Sequence, residues 1–168
     1  MKRLLTTLLG LMLLLSACAP APNSSPPPDT ADASGGTLIL TEPPHLTLCW
    51  DGGEQEIYCG NWSWNYPLDG DQMSGSIGCG SHPTETGQRL TFANTQIDCA
   101  VMCAVPPDYI VVTQWHGEDK CVRIYAGPAD GPFPLTPGYI YAIDAKWLEE
   151  QYPNRSFWGS AEYAFSAG

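Results

Sequence analysis

The sequence predicts an all-β domain built as a sandwich, and three observations indicate it. Aromatic or β-branched residues alternate with polar residues in several short segments, which is the period-2 pattern of strands. Turn-forming residues separate these segments at intervals of about ten residues, as in sandwiches and barrels. The 16 prolines and 17 glycines are spread through the chain and interrupt candidates for a long helix.

Residues 1–17 are typical of a bacterial export signal. A short basic start, Lys2 and Arg3, precedes the apolar run 4–15, which is shorter than the roughly 20 residues of a membrane-spanning helix. The run ends in Leu-Ser-Ala-Cys at 15–18, which resembles the lipobox of bacterial lipoproteins. This resemblance implies cleavage before Cys18 and a lipid on its sulfur that anchors the protein to the extracytoplasmic side of the cell membrane. An ordinary secretory signal, with no lipid on Cys18, is the alternative.

Residues 18–36 are predicted to form a disordered linker between the anchor and the domain. The segment is rich in proline and serine and has no large apolar residue, so it cannot bury enough surface to offset its ordering entropy. The three consecutive prolines at 26–28 favour an extended, semi-rigid spacer. Residues 37–168 then have the size of one domain with one core.

Strand patterns follow one another along this domain. The strongest are at 61–66, 109–115, 121–125, 139–147 and 160–166. Weaker candidates are 38–40, 46–50, 56–58, 72–77 and 89–93. Asp-Gly-Gly at 51–53 and Asp-Gly at 69–70 are typical of hairpin turns. Residues 146–152, stopped by Pro153, are expected to be part of a loop that joins the last two strands.

The order of several short motifs resembles that of uncharacterised small bacterial lipoproteins with a single immunoglobulin-like domain. The motifs are Gly-Asn-Trp-Ser-Trp at 60–64, Ser-His-Pro at 81–83, Pro-Pro-Asp-Tyr-Ile-Val-Val at 106–112, Pro-Gly-Tyr-Ile-Tyr at 137–141 and Ala-Glu-Tyr-Ala-Phe at 161–165. The resemblance covers most of 43–165 and implies an immunoglobulin-like β-sandwich. It transfers no functional residue, because the function of those proteins is not established.

Six cysteines remain beside Cys18. They are Cys49, Cys59, Cys79, Cys99, Cys103 and Cys121. An even number in an exported domain predicts disulfides, either three or fewer with some free thiols, and the sequence does not choose the pairing. Zinc binding is the alternative, with the one close pair Cys99 and Cys103 and with His45, His82 or His116. Since a second close pair is missing and 98–104 reads as a bend before two prolines, we expect no metal ion and no cofactor.

Catalytic signatures are missing from the sequence. There is no phosphate-binding glycine loop, no His-Glu-x-x-His helix and no Gly-x-Ser-x-Gly elbow. Cys79 and His82 stand close together, but the glycines around them favour a turn rather than a nucleophile–base pair. We therefore expect a protein that is not an enzyme.

Charge and aromatic content narrow the class of partner. The formal net charge is −11, and removal of 1–17 leaves 5 basic and 18 acidic side chains, a charge of −13. This charge argues against nucleic acid, whose phosphates need basic partners, and it permits a basic protein. Tryptophans that alternate with small polar residues suit contact with sugar or protein, although burial in the core is the alternative. The candidates are Trp62, Trp64, Trp115, Trp147 and Trp158.

The sequence therefore predicts a monomeric, lipid-anchored cell-envelope protein whose non-catalytic sandwich binds a protein or glycan. Two alternatives stay open. One is an acidic inhibitor or immunity lipoprotein that blocks a basic hydrolase. The other is a metal- or thiol-dependent enzyme.

Overall fold

The structure of the protein, a computed structural model, describes residues 38–77, 88–117 and 120–168. The predicted signal peptide, Cys18 and the linker lie outside the described residues, as do Cys79 and His82. None of the helices in the described ranges is long and apolar enough to cross a membrane.

Eleven strands and one 3-10 helix (η1) make up the described part of the chain. They are β1 (Leu46–Trp50), β2 (Gly53–Ile57), β3 (Asn61–Leu68), β4 (Asp71–Ile77), β5 (Arg89–Leu90), β6 (Ile97–Met102), β7 (Tyr109–Trp115), β8 (Cys121–Gly127), β9 (Phe133–Leu135), β10 (Ile140–Trp147), η1 (Glu149–Asn154) and β11 (Trp158–Ala167). The smaller sheet has the order β2-β1-β6-β9, and the larger has the order β4-β3-β11-β10-β7-β8. Neighbours in both orders are antiparallel, and the short β5 runs parallel to the end of β11. The predicted all-β sandwich is confirmed.

One hydrophobic core receives side chains from both sheets. Trp64 is fully buried in it, with its ring stacked on Phe157 at 5.2 Å and edge-on to Trp147 at 5.0 Å. The indole nitrogen of Trp64 donates a hydrogen bond to the Leu40 carbonyl oxygen at 2.8 Å. This bond satisfies the polar edge of a buried ring, which would otherwise cost free energy.

The period-2 pattern decides which side chains enter this core. In β10, Tyr141, Ile143, Ala145 and Trp147 are buried, while Asp144 between them is half-buried on the other face. In β11 the same alternation buries every second side chain. The buried ones are Ala161, Tyr163, Phe165 and Ala167. The faces predicted for these two strands are confirmed.

Both predicted hairpin turns are present. Gly52 has a φ of 96° between β1 and β2. Asp69 and Gly70, with φ of 51° and 90°, join β3 to β4. Two successive positive φ values fit a type I′ turn, whose twist matches that of the flanking strands.

Four details of the sequence reading are corrected. Residues 98–104 were expected to bend, but most of them lie in β6, where Ile97, Cys99 and Val101 alternate as buried residues. Strand β9 has no counterpart among the predicted strands. The candidate at 38–40 is not a strand, and 89–93 is a strand only over Arg89–Leu90.

The expected loop joins β10 to β11, but it begins only after Trp147, and its helical turn η1 continues through Pro153 instead of stopping there. Arg155 holds this loop, since its guanidinium binds the Asp108 carboxylate and donates to the Leu148 carbonyl oxygen at 3.1 Å. Burial alone would raise the pKa of Asp108, but its bonds to Arg155 and to the Leu148 amide lower it overall. The charged pair therefore fixes the loop that aligns β11 with β10.

Candidate functional site

The outer face of the larger sheet, defined as the face turned away from the core, carries a row of polar side chains. Register places Asn61, Glu162, Asp144 and Val111 opposite one another across β3, β11, β10 and β7. Directly opposite side chains in a sheet lie within contact distance, with Cβ atoms about 5 Å apart. Four strands therefore bring residues that are far apart in the sequence into one line.

A depression of about 490 Å³ lies along this row. Such a volume falls in the range of about 300–1,000 Å³ that is usual for small-ligand sites. Six polar side chains line it: Asn61, Ser63, Asp144, Lys146, Ser160 and Glu162. Trp62, Ile77 and Val111 add apolar surface. We call this feature the acidic depression.

Asp144 and Glu162 line it as a directly opposed cross-strand pair. Both side chains are half-buried. Burial raises the pKa of Asp144, although the charge of Lys146 opposes the shift. Burial and the neighbouring Asp144 also raise the pKa of Glu162. Two like charges directly opposite on a sheet are destabilising, so the pair does not stabilise the fold.

Asn61 fixes the orientation of one of the two carboxylates. Its side-chain amide nitrogen donates to the Glu162 Oε1 atom at 2.9 Å, and this bond lowers the pKa of Glu162 in opposition to burial. A carboxylate held in this way presents its remaining lone pairs in a fixed direction. With one ammonium group from Lys146 and two carboxylates, the depression is suited to neutral or cationic groups and accepts hydrogen bonds from hydroxyl or N–H donors.

The five candidate aromatics separate into two groups. Trp64 and Trp147 are fully buried core residues, which removes them from the candidate binding surface, because a strand with period 2 directs them inward. Trp62, Trp115 and Trp158 are half-buried. Trp62 points inward like Trp64 and packs against the core, with its ring close to Gly75 of β4, although it also borders the acidic depression. Trp158 stands on the outer face, since it alternates with the buried positions of β11.

A second depression lies beside the smaller sheet and contains His45, Glu56, Met102 and Cys103. His45 Nδ1 is 3.1 Å from Glu56 Oε1, and its ring meets that of Tyr58 edge-on at 4.4 Å. The side chains of His45 and Glu56 are 53% and 51% exposed, so water competes with any ligand there. We therefore regard the acidic depression, whose carboxylates are more enclosed, as the better candidate site.

The five described cysteines are free thiols, and no disulfide joins them. In β1 and β6, Cys49 is opposite Ala100, whereas Cys99 is opposite Trp50. The two thiols thus belong to opposite faces of the sheet, an arrangement that a disulfide cannot bridge without movement of the backbone. Cys121 is exposed on β8 of the other sheet. The predicted stapling by disulfides is not seen in this part of the chain, and the bonds of Cys79 lie outside it.

The thiols also have the environment of structural rather than reactive cysteines. Burial, together with the nearby Cys49, raises the pKa of Cys99 to about 12. Burial raises the pKa of Cys59 and Cys103 as well. Because the thiolate is the nucleophile and the metal ligand, a raised pKa weakens both roles at neutral pH.

The close pair Cys99 and Cys103 does not form a metal-ligand pair in this fold. In an extended strand, two residues four positions apart are separated by roughly 13 Å, whereas the same spacing in a turn brings them together. Within the described ranges, no three His, Cys, Asp or Glu residues are grouped closely enough to hold a metal ion.

Sequence reasoning missed the acidic depression, because Asp144 and Glu162 read as ordinary solvated charges. The period-2 pattern did place each of them on the face opposite the aromatic stripe of its strand. Only the register of β10 with β11 shows that these two residues are neighbours.

Comparison of the chain with protein-family models, curated proteins and solved structures finds no match.

Proposed function

We propose that this protein is a lipid-anchored, non-catalytic binding module of the cell envelope, and that its ligand occupies the acidic depression. One observation carries the proposal, namely the half-buried pair Asp144–Glu162, oriented by Asn61. Groups whose environment disfavours their charged form are kept most often where they serve a function. The pair is the clearest such group on the described surface.

The order of the chain supports the location. The lipobox-like motif ends at Cys18, and two or three acyl chains exceed what stable membrane anchoring requires. The proline-rich linker, at roughly 3 Å per residue, would hold the domain some 40–50 Å from the membrane surface. A module held at this distance can reach ligands beyond the lipid headgroups.

The hydrogen bond from Asn61 supports a binding role for the two carboxylates. Asp144 and Glu162 stand side by side on one sheet face, and Asn61 occupies one oxygen of Glu162. A carboxylate held in this way is a fixed acceptor for a donor group of the ligand. The raised pKa of four of the five described thiols likewise favours a structural role over thiol catalysis.

The binding site is tested with the mature chain on arrays of glycans and peptides. The double variant Asp144→Asn/Glu162→Gln keeps the shape of both side chains and should lose at least tenfold in affinity for the ligand that the wild type selects. The matched control is Asp51→Asn/Glu54→Gln, which removes two exposed charges from the β1–β2 hairpin and should bind as the wild type does. Equal binding by both variants would place the ligand elsewhere.

The anchor is tested separately with the full chain in a bacterial host. Cys18→Ala should abolish incorporation of labelled fatty acid and shift the protein from the membrane fraction to the soluble extracytoplasmic fraction. A Cys121→Ala variant, which removes an exposed thiol of the domain, is the control and should retain the label. Membrane attachment of the Cys18→Ala protein would contradict the lipid anchor.

The β1–β2 hairpin favours a second candidate function, that of an inhibitor of a basic hydrolase. Its exposed acidic residues Asp51, Glu54 and Glu56 form an edge of negative charge around the turn at Gly52. For an inhibitor, the roles of the two double variants are exchanged. Asp51→Asn/Glu54→Gln should then release the hydrolase in an inhibition assay, while Asp144→Asn/Glu162→Gln should still block it.

A further inference from the structure

We infer that the ligand of the acidic depression is a neutral glycan, because Trp158 and a set of small hydroxyl and amide side chains adjoin the Asp144–Glu162 pair on one sheet face. The inference rests on the proposed function and names its ligand class. It concerns the outer face of β4, β3, β11 and β10, which we call the polar platform.

The platform is built by register. Trp158 is opposite Asn65, and Ser160 is opposite Ser63. Across the next pair, Ser74 is opposite Asn65, and its hydroxyl donates to the Asn65 Oδ1 atom at 2.7 Å. Directly opposed residues share a face, so these side chains surround the Trp158 position with hydrogen-bonding groups.

The platform adjoins the acidic depression, because Ser63 and Ser160 belong to both. Along β11, Trp158, Ser160 and Glu162 alternate with the inward-facing positions, so all three point outward. Alternate residues of a strand are about 6.7 Å apart, which gives roughly 13 Å from Trp158 to Glu162. An extended ligand can thus contact the aromatic ring at one end and the carboxylates at the other.

The chemistry of these groups matches a sugar. Pyranose rings offer C–H groups on their faces, which pack on an indole ring, and hydroxyl groups on their edges. Each hydroxyl donates one hydrogen bond and accepts others, and the carboxylates, serine hydroxyls and Asn61 provide the partners. Two carboxylates against the single ammonium of Lys146 repel sulfated or uronic-acid polymers. The ligand is therefore uncharged rather than acidic.

A protein surface fits the platform less well. The centre of a protein interface is apolar and depleted of charge, whereas here a pair of half-buried carboxylates is part of the surface. The exposed large hydrophobic side chains of the described residues are scattered, and only Ile77 and Tyr109 stand near the depression, on β4 and β7 at its opposite sides. They do not form the contiguous apolar patch that marks a protein-binding site.

The test offers the mature chain three sets of immobilised probes: neutral oligosaccharides (glucans, mannans, galactans and chitin fragments), acidic polysaccharides, and lysine- and arginine-rich peptides. We expect retention on one or more neutral oligosaccharides. Trp158→Ala should then lower the affinity at least tenfold, and Trp158→Phe, which keeps a ring face, should lower it less. Tyr58→Ala removes an exposed ring just after β2, away from the platform, and should leave the affinity unchanged.

Each outcome decides between the two proposals. Retention on basic peptides or acidic polysaccharides alone, lost in Asp144→Asn/Glu162→Gln, would overturn the glycan inference and keep the binding module. Neutral-glycan binding that is the same in Trp158→Ala and wild type would also overturn the inference. No retention on any probe set, by a chain whose circular dichroism shows the folded sheet, would overturn both. Circular dichroism of each Trp158 variant separates loss of binding from loss of fold.

Discussion

The inner and outer faces of the strands β3, β10 and β11 carry side chains of different kinds. On the inner face Trp64, Trp147 and Tyr163 are fully buried. On the outer face the opposed positions hold Asp144 and Glu162, whose burial raises their pKa. Backbone, register and twist are common to both faces. The difference shows that a strand with period 2 can assign stability to one set of side chains and leave the other set free for ligand chemistry.

The polar atoms of the two faces also differ in their interaction partners. Each large inner ring has its polar tip satisfied by a carbonyl oxygen: Trp64 by Leu40, Trp147 by Val105 at 2.9 Å, and Tyr163 by Pro44 at 2.6 Å. The outer carboxylates face each other with like charge. Substitution of inner positions should therefore lower stability, and neutral substitution of the two outer carboxylates should raise it.

Trp64→Ala is the change with the largest expected effect. Removal of a fully buried indole leaves a cavity and breaks the bond to Leu40, so the free energy of unfolding should fall by about 3–5 kcal/mol. Chemical denaturation followed by circular dichroism measures it. Trp158→Ala, on the outer face of β11, should lower the free energy of unfolding by about 1 kcal/mol or less. Equal losses of the free energy of unfolding in the two variants would contradict the proposed difference between the faces.

Gly159→Ala tests how closely β3 and β11 approach. A Cβ atom at this position would collide with the Ser63 carbonyl oxygen and would lie 2.7 Å from Trp64 Cε3, so the strands must separate. The expected loss is about 1–3 kcal/mol. Gly60→Ala is the matched control, because the nearest atom to its Cβ is the Glu162 carbonyl oxygen at 4.0 Å. A thermal unfolding midpoint as high in Gly159→Ala as in Gly60→Ala would contradict the close approach of β3 and β11 at Gly159.

Tyr163→Phe isolates one polar tip of the inner face. The ring stays in place, but the Pro44 carbonyl oxygen loses its donor, and the free energy of unfolding should fall by about 1 kcal/mol. Tyr109→Phe removes a hydroxyl from a partly exposed ring on the outer side of β7 and should be close to neutral. If Tyr163→Phe proves as stable as the wild type by denaturation, the bond to Pro44 contributes nothing to the fold.

The inner face could be predicted from the sequence, and the outer site could not. Alternation alone directed Tyr141, Ile143 and Trp147 inward, because burial of apolar area is a local property of the pattern. The same pattern is present in β6, but the two prolines that follow suggested a bend there, and Cys99 and Cys103 suggested a metal pair as the alternative. A strand is therefore better identified by the alternation Ile97, Cys99, Val101 than by the chemistry of one residue.

The acidic depression depends on the strand register, which the alternation of apolar and polar residues does not specify. Asp144 meets Glu162 only because β10 and β11 pair in this register. Register depends on the buried faces of both strands together and on the loop between them. A shift by one residue would move Glu162 to the core face. The site is a product of tertiary alignment, which no local window of sequence shows.

Asp144→Asn has the smallest expected effect and tests the outer face most directly. The pKa of Asp144 is raised in the folded state, so the folded protein binds its proton more tightly than the unfolded chain does, and stability falls as pH rises from about 4 through the raised pKa. Since the side chain is only half-buried and Lys146 offsets part of the penalty, Asp144→Asn should stabilise the protein at pH 7 by only about 0.5 kcal/mol. The gain should be lost below about pH 4, where the carboxyl group is protonated in both states. Denaturation curves at pH 7 and pH 3.5, with Asp51→Asn as the exposed control, measure the difference. If the variant is less stable than the wild type at pH 7, the Asp144 carboxylate stabilises the fold. The outer face would then contribute to stability as the inner face does, although its side chains are polar.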